Sequence, residues 1–219
     1  TRSFHQELSL ETGSMNVRYG DGTALRVWVD ANHPVIHVEV HADHPLTATA
    51  RAEIWRTNRL ELPSIECSDV LTDRSKPNGM RGPTVVEPDT VLQGLAGRVG
   101  WYHHNVKSVG PALHAEVQGV TGYQRRDPLL HRTFGALITS PRARRLDDLT
   151  LQSPAGPAHQ FAIHVLTKHP ATAESWLRDM NALVAAVETT PLEQRRHAHE
   201  TWWRAFWDRS WIRASRNST

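Results

Sequence analysis

The 219-residue sequence predicts a mainly β fold: an antiparallel sandwich of many strands, followed by two helices. Three observations carry this. Apolar and polar residues alternate at period two in one segment after another between Phe4 and Thr167. The joints between the first segments are short and rich in Gly and Pro, which suits an antiparallel meander rather than parallel strands with crossover helices. In the last 50 or so residues the apolar spacing changes to that of a helix.

The elements follow in chain order. Phe4 to Leu10 and Met15 to Tyr19 alternate, and Tyr19-Gly20-Asp21-Gly22-Thr23 closes a hairpin turn. Leu25, Val27 and Val29 share one face of the next strand, with Arg26, Trp28 and Asp30 on the other. Asn32-His33-Pro34 breaks that run. Ile36, Val38 and Val40 then oppose His37, Glu39 and His41, and Thr47 to Arg56 reads as a further strand. Residues 57–97 carry turn chemistry at Lys76-Pro77-Asn78-Gly79 and Arg81-Gly82-Pro83, and read as one long excursion loop. Strands resume at Val99 to His104, Leu113 to Tyr123, Thr133 to Thr139, Leu149 to Leu151 and Phe161 to Thr167. Trp176, Leu177, Met180, Leu183, Val184 and Val187 form a helical stripe with Thr172 as its N-cap. A second helix is expected to start with Thr190 as cap, Pro191 in its first turn and Glu193 completing a capping box, and to run to about Asp208.

Composition narrows the function classes. With 25 Lys and Arg against 23 Asp and Glu the chain is nearly balanced, which argues against a dedicated nucleic-acid binder. No stretch approaches the roughly 20 apolar residues of a membrane span. The single Cys67 excludes an intrachain disulfide and a Cys-rich zinc site. A start at Thr1-Arg2 reads as a processed or excised chain.

Motifs for chemistry are sparse. There is no G-x-S-x-G elbow, Walker pattern or G-x-G-x-x-G, so neither a nucleophile nor a cofactor is indicated. His37, Glu39 and His41 share a strand face, but alternate strand residues stand about 6–7 Å apart, too far for all three to hold one ion. His197 and His199 fall on different faces of a helix, so no metal site is expected. Arg142-Ala143-Arg144-Arg145, followed by Asp147-Asp148, reads as a solvated turn, and Asn217-Ser218-Thr219 is a lone glycosylation triplet. Trp101-Tyr102-His103-His104-Asn105 joins flat aromatics to convergent polar groups, the combination sugar sites use. Trp101, His103, His104 and Asn105 are therefore candidates for a carbohydrate-facing rim, against a reading as ordinary strand residues.

The tail is the most informative segment. Trp202, Trp203, Phe206, Trp207 and Trp211 place five large aromatics within ten residues, on more than one helix face. Such a helix either packs on its own sheet with spare aromatics or is pinned between this domain and a further one. His199 to Ile212 resembles the linker-helix motif of bacterial glycoside hydrolases of the family 95, α-L-fucosidase type. Phe4 to Leu10, Val17-Arg18-Tyr19 and Arg26-Val27-Trp28-Val29 are similar to the opening hairpins of their N-terminal domain. Trp101 to Asn105 is similar to a motif in an uncharacterised branch, an N-terminal domain of unknown function.

The resemblance implies a galactose-mutarotase-like β-supersandwich over residues 1–170. It implies a helical linker over 171–212 leading to an (α/α)6 barrel, with 213–219 disordered or starting that barrel. Its partners would be that C-terminal barrel and carbohydrate, in a secreted or periplasmic bacterial protein. Trp202, Trp203, Phe206, Trp207 and Trp211 would form the interdomain interface. A free-standing carbohydrate-binding module and a structural interaction domain without sugar contact are the competing classes. Glycoside hydrolysis usually needs two carboxylates flanking one sugar bond, and in the resembled enzymes both lie in the barrel. Residues 1–219 alone are thus expected not to turn over aryl glycosides. Release of nitrophenol that vanishes when one acidic residue of this chain is changed to its amide would overturn that expectation.

Overall fold

The computed structural model describes residues 3–64, 67, 69–122 and 127–211. In chain order the elements are β1 (Phe4–Ser9), β2 (Ser14–Tyr19), β3 (Ala24–Val29), β4 (Val35–Arg51), β5 (Leu60–Glu61), β6 (Val85–Val86), β7 (Thr90–Val91), β8 (Arg98–His104), α1 (Gly110–Val117), β9 (Thr133–Thr139), β10 (Arg144–Arg145), β11 (Thr150–Lys168), α2 (Ala173–Glu188) and α3 (Leu192–Trp207). Nine strands form one sheet in the order β1-β2-β3-β4-β11-β9-β8-β7, with β10 paired to β11, and all its pairings are antiparallel. β5 and β6 pair separately within the excursion loop. The result is a mainly β fold of the sandwich kind with helices at its C-terminal end. Among the described residues no helix is long and apolar enough to cross a membrane.

Two long strands do the folding. β4 and β11 run side by side, and their register slips between Ser153 and Ala158, opposite the segment from His41 to Ala48. Pro45, Pro154 and Pro157 fall in this irregular stretch, where a missing N–H is tolerated. Beyond it Ala48, Ala50, Ala52 and Leu151 pack on Val99, Ile138 and Phe161 in one apolar cluster. The opposite face of β8, β9 and β11 carries Leu137, Tyr102 and Leu166, on which α2 lays Trp176, Met180 and Val184. Thr172 and Ser175 exchange capping hydrogen bonds, so α2 starts at the expected cap.

Several expectations need correction. Thr47 to Arg51 continues β4, and residues 149–151 and 161–167 belong to one strand, because the slipped register lets each chain pass its prolines without ending. Leu113 to Tyr123 is not a strand: Gly110–Val117 is α1, with Pro in its first turn, and Tyr123 lies outside the described residues. Thr190 does not cap α3. Its backbone N–H donates to Val187 O at the end of α2, and Pro191 takes the cap position without a side-chain bond.

Both faces of the sheet are covered over β4 and β11, where Val38, Phe161 and Ile163 pack with the apolar cluster on the side away from the helices. Val29 is 60% exposed, while Trp28, Asp30, His37 and Glu39 are buried. Trp28 stands opposite His37, so these residues share the helix side of the sheet. α3 covers them. Trp28 Nε1 donates to Glu39 Oε1 at 2.9 Å, and Arg196 Nη1 donates to Glu39 Oε2 at 2.7 Å. His199 Nδ1 accepts from the Ala31 N–H at 3.1 Å, and the His199 ring lies 4.9 Å from Trp28. On the apolar face of β1 to β3 Val17 is buried and Leu25 and Val27 are half-buried, while Phe4, Leu8 and Val29 are exposed.

Burial of polar rings has a pH consequence. Desolvation, with the Arg195 guanidinium adding to it, pulls His37 from 6.5 down to about 3 and His164 down to about 4. Both folded values are depressed, so below 6.5 the unfolded chain binds more protons than the folded one. The stability these neutral rings contribute is present above pH 6.5 and is lost as pH falls. The loss is about 1.4 kcal/mol per pH unit for each ring until its folded value is reached. The urea midpoint should therefore drop steeply between pH 6.5 and pH 4. A His37→Gln, His164→Gln variant should flatten that slope, and an unchanged slope would remove these two rings as its source.

Candidate functional site

β8 and the excursion loop build one candidate site. His103, His104 and Asn105 line a cleft of about 380 Å³, with Thr84 to Glu87 of the loop among its other walls. Trp101 does not reach it. Its half-buried ring meets Phe134 edge to face at 6.2 Å and packs against the apolar cluster. Trp101 shares a face of β8 with His103 but sits two residues further from the end of the strand, where Phe134 and the apolar cluster take up its ring.

The two histidines differ in availability. His103 is buried, with Nδ1 2.9 Å from Asp89 Oδ1 and Nε2 3.1 Å from Asn105 Oδ1. Asp89 also accepts from Arg56 Nε at 2.8 Å, and the Arg56 guanidinium lies 5.5 Å from the Phe134 ring. His103 is thus a positioning group that ties the excursion loop to β8. His104 is half-buried, and its Nδ1 lies 2.7 Å from Thr133 Oγ1, which itself donates to Ala171 O at 2.9 Å. That chain makes Nδ1–H the donor, and Nε2 has no protein partner among the described residues. Burial, then His131 and His103, holds the His104 ring below the ordinary 6.5. A neutral ring with a free Nε2 lone pair can accept from a hydroxyl. Asp89, Arg56 and Thr133 were missed at the sequence level because only the folded register brings them to β8.

The aromatic tail forms a second candidate surface. Trp203 and Trp207 face inward over the β1–β2 turn, and Trp207 Nε1 donates to Leu10 O at 2.6 Å. Trp203 stacks on Trp207 at 6.1 Å. Outward, Trp202 and Phe206 stack with rings 5.5 Å apart and 7° from parallel. Trp202 is 42% exposed and Trp211 is 75% exposed. No packing within the described residues covers both faces of this helix. Ile212 and the lone glycosylation triplet lie outside the described residues.

His37 and Glu39 are interior groups, and His41 is exposed, so the three never converge.

The fold and these surfaces define a β-sandwich domain closed by a helix pair. The chain belongs to the family described as Domain of unknown function (DUF5703), whose N-terminal profile, DUF5703_N, matches residues 1–212. No curated protein matches it. A solved structure described as "Putative kojibiose phosphorylase from human microbiome" is similar at a TM-score of 0.51 and 6% identity, over 94% of this chain and 25% of that one. That likeness shows the fold alone. The chain spans a quarter of that protein's length.

Gly13 offers a direct test of how the tail is seated. Its φ of +57° is in the left-handed region, and a Cβ there would collide with the Trp203 indole. Gly94 has a φ of +68° with nothing within 4 Å, so it isolates backbone strain from collision. Gly13→Ala should lower stability by about 1–3 kcal/mol more than Gly94→Ala, as overpacking does. Equal urea midpoints for the two variants would mean that Trp203 does not rest on this turn.

Proposed function

We propose that this chain is the non-catalytic N-terminal domain of a larger carbohydrate-active enzyme. Residues 1–170 form its sandwich and 171–212 the linker whose aromatic ridge receives a C-terminal (α/α)6 barrel. His104 and Asn105, with the excursion loop, face the sugar site of that barrel. The observation that carries the reading is the exposure of Trp202, at 42%, and Trp211, at 75%, with Phe206 half-buried against Trp202. Aromatic side chains bury 150–250 Å² each, so these two indoles leave roughly 200–300 Å² open at one end of the tail. Large aromatics are the anchors that interfaces favour. Support comes from the fold shared with one quarter of a larger protein described as a phosphorylase of kojibiose. The tail's resemblance to family 95 hydrolases makes a hydrolase of that kind the specific form of the proposal.

The test compares residues 1–219 with the longer product of the same reading frame. Trp55 is 89% exposed, so both proteins carry Trp55→Phe. In residues 1–219 acrylamide should then quench the tail tryptophans readily, and Trp202→Ser with Trp211→Ser should remove most of that signal. In the longer protein the same tryptophans should be protected. His104→Ala should weaken sugar binding there by about tenfold, the scale of one or two lost hydrogen bonds. Equal quenching in both proteins would overturn the interdomain reading. Unchanged sugar affinity in His104→Ala and Asn105→Ala would remove the rim.

A further inference from the structure

The helix face of the sheet holds a second cleft, about 580 Å³, beneath the turn that joins α2 to α3. Its volume lies within the usual range of small-molecule sites, about 300–1,000 Å³. His37, Glu39 and Gln160 belong to its floor, and Glu188, Leu192 and Arg195 hang over it from the helices. Past Leu192 and Gln160 it continues into a hollow of about 270 Å³. We propose that this cleft binds a neutral saccharide, with Gln160 and Glu188 meeting its hydroxyls.

Uncommitted polar groups line the cleft. Arg195 Nε and Nη1 and His37 Nε2 have no hydrogen-bond partner, but neighbouring atoms cover all three and His37 Nε2 stands 3.9 Å from Asp30 Oδ2, so the groups open to a ligand are the side chains of Gln160 and Glu188. Buried donors left without a partner are destabilising, and native structures hold few of them. Gln160 makes no side-chain hydrogen bond among the described residues, nor does Glu188, so the walls present both donors and acceptors.

Charge decides the class of ligand. Glu39 is neutralised by Arg196, and Arg98 is engaged by Asn181 Oδ1 at 2.9 Å. The fields of Asp30 and Glu188 act on Arg195. Counting Asp30 and Arg196 with the lining groups Glu39, Arg98, Glu188 and Arg195, three carboxylates stand against three guanidinium groups. A phosphate or carboxylate finds no net positive field, and a lipid tail would strand the polar walls. Hydroxyls both donate and accept, so a sugar meets both kinds of wall at once. Val184, Leu192 and Pro141 supply apolar surface for its C–H faces.

The cleft is separate from the His104 rim. Arg98 and His104 stand at the two ends of β8, about 20 Å apart along a strand. The inference therefore does not rest on the interdomain reading.

Calorimetric titration of residues 1–219 with maltose, cellobiose, glucuronate and inorganic phosphate tests it. At least one neutral disaccharide should bind at millimolar concentration and raise the melting temperature. Gln160→Leu and Glu188→Gln should each weaken that binding about tenfold. Neither should change the melting temperature without sugar, whereas His104→Ala should leave the affinity intact. Silence from both disaccharides would overturn the proposal, as would binding of glucuronate or phosphate alone. Neutral binding that survives Gln160→Leu and Glu188→Gln, or that is lost in His104→Ala, would overturn the placement.

Discussion

The buried carboxylate of Glu39 holds this domain to its helices. It sits in the middle of a sheet and accepts from Trp28 on the neighbouring strand and from Arg196 on α3, 157 residues further on. An isolated buried carboxylate would be strongly destabilising, and a buried pair with one partner removed loses about 3–5 kcal/mol. α3 must therefore dock where Arg196 reaches Glu39. Once it does, His199 meets the β3–β4 turn through Ala31, and Trp203 and Trp207 fall on the β1–β2 turn near Gly13 and Leu10. One ion pair thus fixes the pitch and position of the whole tail. Its partly exposed setting gives Arg196 a second tie to Glu193, which keeps the guanidinium in place.

That anchor also explains what the sequence pattern leaves out. Val, Leu and Ile alternate with Trp, Asp, His and Glu along β3 and β4, and hydrophobicity alone puts the aliphatic side inward. On β4 that side is covered, with Val40 buried and Val38 packed on the apolar cluster. The helices cover the polar side as well, where each charged or ring group finds a partner across elements far apart in sequence. Period two gave the meander of the first four strands, because that depends only on local alternation and turns. It could not show that the polar face is buried too, because α3 does that. The same limit applies to α1. Leu113, Ala115 and Val117 alternate as a strand would, yet Pro111 suits the first turn of a helix and Gly119, at a φ of +66°, follows its end.

The candidate sites were legible to different degrees for one reason. A residue type announces itself in sequence, but its freedom to act does not. Trp101, His103, His104 and Asn105 are adjacent and chemically apt, yet Trp101 packs against the apolar cluster and His103 is held by Asp89 and Asn105. Only His104 keeps an uncommitted ring nitrogen, because Thr133 engages the other one. In the tail, five aromatics on more than one face exceed what one contact surface can cover, and that excess is a count the sequence contains. The cleft under the α2–α3 turn was not legible at all. Gln160, Glu188 and Arg195 come from a strand and two helices, and no spacing links them.

The polar face under the helices also shapes how the surfaces relate. A helix laid on an apolar face packs by close contact, as α2 does with Trp176 and Met180 on Leu137 and Leu166. α3 crosses a face of charged and ring side chains, whose partners must be matched one at a time, so close packing gives way to discrete bonds. Space remains where α2 hands over to α3, since Thr190 and Pro191 turn the chain above His37 and Gln160 instead of filling the gap. The cleft and the Glu39 anchor are then two results of one choice, a polar face turned inward. The aliphatic face of β1 to β3, deprived of the helices, is left open at Phe4, Leu8 and Val29. Burying polar groups beneath the tail therefore creates a cavity able to hold a ligand on one side of the sheet, and leaves apolar surface uncovered on the other.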